Sequence, residues 1–149
     1  MTNTLIYAPG IITSSPVERV GDDVPPATAL PGLPARWWCD LSDDSLRWEH
    51  GVFDLFGIAR GQRLDRRAIV EMYAAPSRDL LDHLRSTAIA TRGSFTFEAE
   101  IVRPDGAMRW MRVVADTVAT NGRTTHLYGT KCDITHEMSA AVTVTATTA

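Results

Sequence analysis

The segment Phe95–Thr135, FTFEAEIVRPDGAMRWMRVVADTVATNGRTTHLYGTKCDIT, decides the fold of this chain. Apolar and polar residues alternate from Phe95 to Ile101, and this period of two gives a strand one apolar and one polar face. Pro104-Asp105-Gly106 and Asn121-Gly122 have the residue types of tight turns, and the second is a strong hairpin signal. The segment therefore predicts an antiparallel meander of three strands, which are Phe95–Ile101, Met108–Thr120 and Thr124–Ile134.

Two shorter strands are predicted upstream of the meander. Arg36–Leu41 is rich in apolar and aromatic residues, and Leu46–Glu49 follows after the polar turn Ser42-Asp43-Asp44. These two strands form a leading hairpin, and they bring the predicted number of antiparallel strands to five.

The sequence then predicts two short helices. Val52, Phe53 and Phe56 recur at helical spacing, and Gly57 suits the left-handed residue that ends many helices. A second helix is predicted within residues 64–75, because its apolar residues share one face and because the residue before a proline disfavours helical backbone.

A longer third helix completes the predicted elements. Ser77 is expected to cap its N-terminus and Gly93 to end it, while Arg85 and Arg92 lie toward its C-terminus, as the helix dipole favours. The apolar stripe that this helix should bury against the sheet consists of Leu80, Leu81, Leu84 and Ala88.

Short motifs follow one another in an order that one protein family shares. The meander contains Arg103-Pro104-Asp105-Gly106, Arg109-Trp110, Leu127-Tyr128-Gly129 and the closing Asp133-Ile134-Thr135. Upstream lie Trp38, Trp48, Leu55-Phe56-Gly57 and Pro76. On these motifs residues 36–138 resemble a PAS domain, and the chain resembles stand-alone bacterial PAS proteins. The Asp-Ile-Thr ending is the most specific of them.

The resemblance implies an α/β (α+β) fold, in which a five-stranded antiparallel sheet carries short helices and one long helix on one face. We expect residues 36–138 to form the PAS domain. Residues 1–35 hold six of the eight prolines and should form an arm that is flexible or caps the sheet. Residues 139–149 should form a short disordered tail.

Composition excludes several classes of function. The formal net charge of −3, with dispersed arginines, does not provide the basic footprint of a nucleic-acid-binding protein. No apolar run approaches the ~20 residues that cross a bilayer, so we expect no membrane insertion and a cytoplasmic location. Cys39 and Cys132 are far apart in sequence and predict neither a metal site nor a disulfide framework. No catalytic constellation is recognisable, so we expect no enzyme.

The strand orientation of the family assigns ten residues to the inner face of the sheet. They are Phe95, Phe97, Ala99, Ile101, Met111, Val113, Ala115, Leu127, Gly129 and Lys131. A ligand pocket there would be lined by Phe97, Ile101, Met111, Val113, Leu127 and Lys131. Lys131 is the exception in this apolar set and occupies the position of a ligand-contacting glutamine in flavin-binding relatives. It should extend to an edge, pair with an acid or contact an anionic ligand.

The outer face of the sheet should carry an exposed aromatic patch. Its residues are Trp110, Arg112, Val114, Tyr128, Thr130 and Cys132. Either the N-terminal arm or another chain should cover them, because Trp, Tyr and Arg are enriched at interface hot spots.

The resemblance implies regulation by protein contact. The expected partners are PAS-containing sensor histidine kinases of two-component pathways or other PAS-containing signalling proteins, together with a second copy of the chain as a homodimer. The alternative is a small-molecule receptor whose ligand controls the outer face, and a weaker alternative is an enzyme.

The sequence also predicts a protein without a chromophore. Haem requires an inward histidine, but His83 lies off the apolar stripe of the long helix, and residues 52–91 lack the reactive cysteine of flavin photosensors. Protein purified from its own host should therefore show no Soret or flavin absorption band. A stoichiometric chromophore in such material would contradict this prediction.

Overall fold

A computed structural model describes residues 4–5 and 32–139 of the chain. The elements in chain order are β1 (Thr4–Leu5), β2 (Ala35–Asp40), β3 (Ser45–Trp48), α1 (His50–Phe56), α2 (Arg66–Glu71), α3 (Ala75–Thr91), β4 (Ser94–Val102), β5 (Met108–Thr120) and β6 (Arg123–Asp133). Residues 135–139 are helical. Most of the predicted arm at 1–35 and nearly all of the predicted tail at 139–149 lie outside the described residues.

The sheet has the strand order β1-β4-β5-β6-β2-β3. Five of its strands, β2 to β6, pair in antiparallel fashion, which confirms the predicted five-stranded antiparallel sheet. The sixth, β1, adds two residues in parallel to the free edge of β4. The sequence analysis did not predict this strand, because a two-residue pairing leaves no periodic pattern.

The turns form where the sequence places them. Asn121 and Gly122 both have positive φ, at 54° and 78°, as the tight turn between β5 and β6 requires. Gly57 ends α1 with a φ of 71°, and its backbone N–H bonds the carbonyl oxygen of Asp54. These positions confirm the predicted hairpin and the predicted helix end.

The core lies between the inner face of the sheet and the three helices. Burial alternates along β4 with a period of two, so that Phe95, Phe97, Ala99 and Ile101 are buried. On β5 and β6 the buried residues are Met111, Val113, Ala115, Leu127 and Lys131, and Gly129 is half-buried. This alternation determines which residues can meet a ligand inside and which can meet a partner outside.

The N-terminus of α3 differs from the prediction. The helix begins at Ala75, and Pro76 lies in its first turn, where a missing N–H costs nothing. Ser77 is therefore inside the helix and is not its N-cap. Its hydroxyl accepts a hydrogen bond from the backbone N–H of Glu100 at 2.9 Å and so joins α3 to β4.

Three further expectations for the helices were wrong. Arg92, with a φ of 56°, is the left-handed residue at the end of α3, and Gly93 follows it. Leu80 is 43% exposed, so the stripe that α3 turns to the sheet is Ser77, Leu81, Leu84 and Ala88. The second helix is also shorter than predicted: α2 covers Arg66–Glu71, because Tyr73 leaves it to bridge Ile101 on β4.

No helix in the described part of the chain is long and apolar enough to cross a membrane.

The bond from Ser77 to Glu100 makes a testable prediction. In Ser77→Ala the N–H of Glu100 loses its acceptor in a partly buried position, which should lower the free energy of unfolding by roughly 1–3 kcal/mol. Ser86→Ala is the matched control, because Ser86 is exposed on the same helix. Urea unfolding of both variants would check this, and equal stability of the two would contradict it.

Candidate functional site

The amine of Lys131 is the most unusual group in the interior. Lys131 lies on the inner face of β6 and is only 8% exposed. Its Nζ donates a hydrogen bond of 3.1 Å to the hydroxyl oxygen of Tyr73, the residue that bridges to β4. Lys131 does not extend to an edge of the sheet, so the first of the three outcomes expected from the sequence was wrong.

Four aromatic rings surround this amine, and we call them the aromatic cage. The distances from Nζ to the ring centroids are 5.2 Å for Trp37, 5.7 Å for Trp48, 5.1 Å for Phe56 and 5.7 Å for Tyr73. All four lie within the ~6 Å over which a ring face attracts a cation. The lysine is thus held by ring faces contributed by β2, β3, α1 and the segment after α2.

The cage follows from strand pairing. Trp37 on β2 is the register partner of Trp48 on β3, so the two indoles lie side by side on the inner face. Trp48 also stacks on Phe56 of α1, with the ring centroids 4.7 Å apart. Because β2 pairs with β6 on its other side, these rings are brought over the inner residues of β6.

The charge of Lys131 has no carboxylate partner among residues 32–139. Burial, together with the positive charge of Arg66, lowers the pKa of Lys131 to about 7, while the thiol of Cys39 acts in the opposite direction. The ring faces of the cage also favour the ammonium form. Burial likewise raises the pKa of Tyr73 well above its ordinary value, so its hydroxyl stays protonated.

A cavity of about 50 Å³ lies beside the amine. Its polar wall is formed by Cys39, Arg66, Tyr73, Arg85 and Lys131, and it contains no Asp or Glu. At 10–15 Å³ for each water, this space would hold roughly three to five molecules. The rest of the lining is mostly apolar, and its polar groups favour a small ligand that presents a hydrogen-bond acceptor or a negative charge to them.

The two arginines of the cavity wall differ in their ion-pair partners. Arg85 pairs with Asp44 at 2.9 Å, whereas Arg66 has no ion-pair or hydrogen-bond partner within the described part of the chain. Burial, together with the charge of Arg85, lowers the pKa of the Arg66 guanidinium. Trp37 also lines the cavity, and its indole N–H finds no acceptor among the described residues. Arg66 and Trp37 are thus donors without acceptors.

The predicted pocket residues divide into two groups. Val113, Leu127 and Lys131 line the cavity. Phe97, Ile101 and Met111 are buried in the core but are not part of the cavity wall. Sequence reasoning missed Trp37, Arg66, Tyr73 and Arg85, although the alternation of β2 places Trp37 on the same face as Cys39.

A second candidate site is the outer face of the sheet. Trp38, Val114 and Tyr128 are 36%, 36% and 37% exposed, and we call these three the outer patch. Trp38 and Tyr128 are register partners across β2 and β6. Trp38 was missing from the predicted interaction face, and the guanidinium of Arg36 lies 5.5 Å from its ring centroid.

The other predicted residues of the outer face are less exposed. Trp110, Arg112, Thr130 and Cys132 are half-buried. Arg112 pairs with Glu98 at 3.0 Å and with Glu137 at 3.2 Å. The thiol of Cys132 donates to the carbonyl oxygen of Gly32 at 2.7 Å. These residues and their contacts surround the outer patch.

The described residues show no other candidate for cofactor chemistry. His83 is exposed on α3. No group of three or more His, Cys, Asp or Glu residues within the described ranges could hold a metal ion. The absence of a chromophore stays a prediction.

No protein-family model and no curated protein matches this sequence. Solved structures do match it. The N-terminal domain of a diguanylate cyclase with PAS/PAC sensor from Marinobacter aquaeolei is 15% identical, with a TM-score of 0.65 over 71% of this chain and 99% of its own. A sensory box histidine kinase/response regulator from Burkholderia thailandensis E264 is 11% identical, with a TM-score of 0.67 over 76% and 86%.

A PAS domain from Colwellia psychrerythraea is 19% identical, with a TM-score of 0.58 over 69% of this chain and 87% of its own. At these identities the likeness shows the fold. The chain therefore has a PAS-like α/β fold, and its structural neighbours include PAS domains.

The buried amine makes stability depend on pH. Between pH 7 and 10 the unfolded chain holds the proton of Lys131 while the folded chain releases it, so the unfolded state binds more protons and stability rises with pH. Relative to Lys131→Met, the wild type should gain roughly 2–3 kcal/mol of unfolding free energy between pH 7 and 9.5.

Urea unfolding of both proteins at each pH would measure this gain, and the same change with pH in both proteins would contradict it. At pH 7 Lys131→Met should be at least as stable as the wild type, because it removes a buried charge that has no acid partner among the described residues.

Proposed function

We propose that this chain is a cytoplasmic PAS-type signalling module that acts by protein contact through its outer patch, without catalysing a reaction. The observation that carries this proposal is the exposure of Trp38, Val114 and Tyr128 on three adjacent strands of the sheet. Aromatic side chains at the centre of a surface, with charged neighbours around them, are typical of interface hot spots.

The partner that fits this surface is the outer sheet face of another PAS-type domain. Arg36 and Arg112 flank the outer patch with positive charge, and Glu98 and Asp116 flank it with negative charge. A patch rimmed by both signs can pair with a copy of itself about a two-fold axis when the charges of one copy face opposite charges of the other. We propose a homodimer, and a PAS-containing sensor histidine kinase as the signalling partner that presents the same kind of surface.

A second candidate function is reception of a small molecule that controls the outer patch. The cavity beside Lys131 favours it. Residues of β6 alternate between the two faces, so Lys131 lies inside while Tyr128, three residues earlier, lies outside. A ligand that shifts β6 would therefore move a residue of the outer patch, which is a route from the cavity to the partner surface.

Mutation of the outer patch tests the protein-contact function. Trp38→Ala and Tyr128→Ala should each weaken self-association or kinase binding by more than about thirtyfold, which corresponds to a hot-spot loss above ~2 kcal/mol. Leu80→Ala is the matched control, because Leu80 is 43% exposed on α3, away from the sheet face. Analytical ultracentrifugation and pull-down of PAS-containing kinases would measure the effect, with circular dichroism to check folding.

Wild-type association of both aromatic variants would remove the outer patch from the mechanism.

Deletion of residues 1–31 distinguishes an arm that covers the patch from an arm that is part of the interface. If the arm merely covers the patch, its loss should strengthen association, and if the arm is part of the interface, association should fall.

A further inference from the structure

Lys131 is the only lysine of the sequence. Of the fifteen lysine and arginine residues, the other fourteen are arginine. Arginine stays charged in proteins, whereas a buried lysine can lose its proton and become a nucleophilic amine. The one side-chain amine of the sequence lies inside the aromatic cage.

Burial and the nearby charge of Arg66 favour the neutral, reactive form of this amine, whereas the ring faces of the cage favour the ammonium form. Arg66 of α2 adds positive charge nearby, and among the described residues no acid pairs with the amine. The remaining titratable groups of the wall are Tyr73, Cys39 on β2 and Arg85 on α3, and Arg85 pairs with Asp44. With a pKa of about 7, half of the Lys131 amine is neutral at pH 7. For an ordinary lysine the neutral fraction is about one in 2,500.

The cavity also offers a place for a carboxylate. Arg66 has no acid partner in the described part of the chain, and it lines the same cavity as Lys131. A guanidinium is a suitable donor to carboxylate oxygens. The cavity volume of about 50 Å³ restricts the ligand to a few heavy atoms.

We propose that Lys131 captures a small oxo acid, a carboxylate that also carries an aldehyde or ketone group, as a Schiff base in this cavity. The neutral amine adds to the carbonyl carbon and gives a carbinolamine, in which the carbonyl oxygen has become a hydroxyl group. That hydroxyl leaves as water, the nitrogen loses its second proton, and a carbon–nitrogen double bond forms. Nothing is oxidised or reduced, and hydrolysis reverses the capture.

Tyr73 is placed to move the proton in this step. Its hydroxyl oxygen lies 3.1 Å from Nζ. It can accept the proton that leaves the nitrogen while giving its own proton to the departing hydroxyl group, so that it ends unchanged. Arg66 holds the carboxylate, and the rings of the cage keep bulk water from the double bond. The inference concerns the inside of the sheet and does not depend on the proposed contact through the outer patch.

The test measures covalent labelling of the single lysine. The protein is incubated at pH 7 with glyoxylate and sodium cyanoborohydride, which reduces a Schiff base to a stable secondary amine, and the adduct is located by peptide mass spectrometry. The α-amino group at the N-terminus is the reference amine in the same molecule. Lys131 should be labelled at least about tenfold faster than the α-amino group, because the neutral amine and the carbonyl are held together.

Four comparisons separate the contributions of the carboxylate, Arg66, Tyr73 and Lys131. Glycolaldehyde has the aldehyde without the carboxylate, so it should label Lys131 at least about tenfold more slowly than glyoxylate does. Arg66→Gln should abolish this preference. Tyr73→Phe should slow labelling while keeping the preference, and Lys131→Arg should leave only the α-amino adduct. Circular dichroism of each variant confirms that it is folded.

Two results would overturn the proposal. One is that Lys131 of the folded protein is labelled no faster than the α-amino group, whereas after unfolding in guanidinium it reacts normally. The other is that glyoxylate and glycolaldehyde label Lys131 at equal rates, which would mean that the cavity does not recognise a carboxylate. Neither result bears on the association of the outer-patch variants, so failure here is distinguishable from failure of the contact function.

Discussion

The backbone ladder between β2 and β6 is the interaction on which the rest of the structure depends. It joins the leading hairpin to the meander, which are separated in sequence by all three helices. The register of this ladder places Trp37 opposite Gly129 and Trp38 opposite Tyr128. A slip of this pairing by one residue would move the inner side chains to the outer face and the outer side chains to the inner face. Both sites would then be lost. The aromatic cage and the outer patch are therefore two consequences of one register.

The same register buries the amine of Lys131, and burial of this amine has a cost in free energy. Lowering the pKa of a lysine from 10.5 to about 7 corresponds to roughly 5 kcal/mol of penalty on the charged form, at about 1.4 kcal/mol for each pKa unit. Cation–π attraction, at up to ~2 kcal/mol for a desolvated ring, offsets part of this penalty. A methionine at this position would avoid the cost. The proposed chemistry of the amine would account for a lysine at this position despite the cost.

Most of the fold could be predicted from the sequence, because its strands alternate clearly and its turns contain Gly, Asn and Asp. The bounds of β5 and the left-handed Gly57 followed from such local patterns. The start of α3 did not, because Ser77 looks like a cap but bonds β4 instead, and this bond depends on tertiary contact. Leu80 was assigned to the core since apolar character alone does not give the rotation of a helix.

The candidate site was less predictable than the fold. The inward direction of Lys131 followed from alternation, but its surroundings are contributed by four elements that only the folded chain brings together. Arg66 could not be assigned to the cavity, since its side chain carries no periodic signal. One feature of the sequence was not used: Lys131 is the one lysine among fifteen lysine and arginine residues.

The most direct test of this account is the pKa of Lys131, measured by NMR. Because the sequence has one lysine, protein labelled with carbon-13 lysine gives a single side-chain signal, and its chemical shift can be followed against pH. The account predicts a titration midpoint near 7, about three units below that of a free lysine. A midpoint at or above 10 would show that the amine is solvated or paired with an acid, and it would contradict the account.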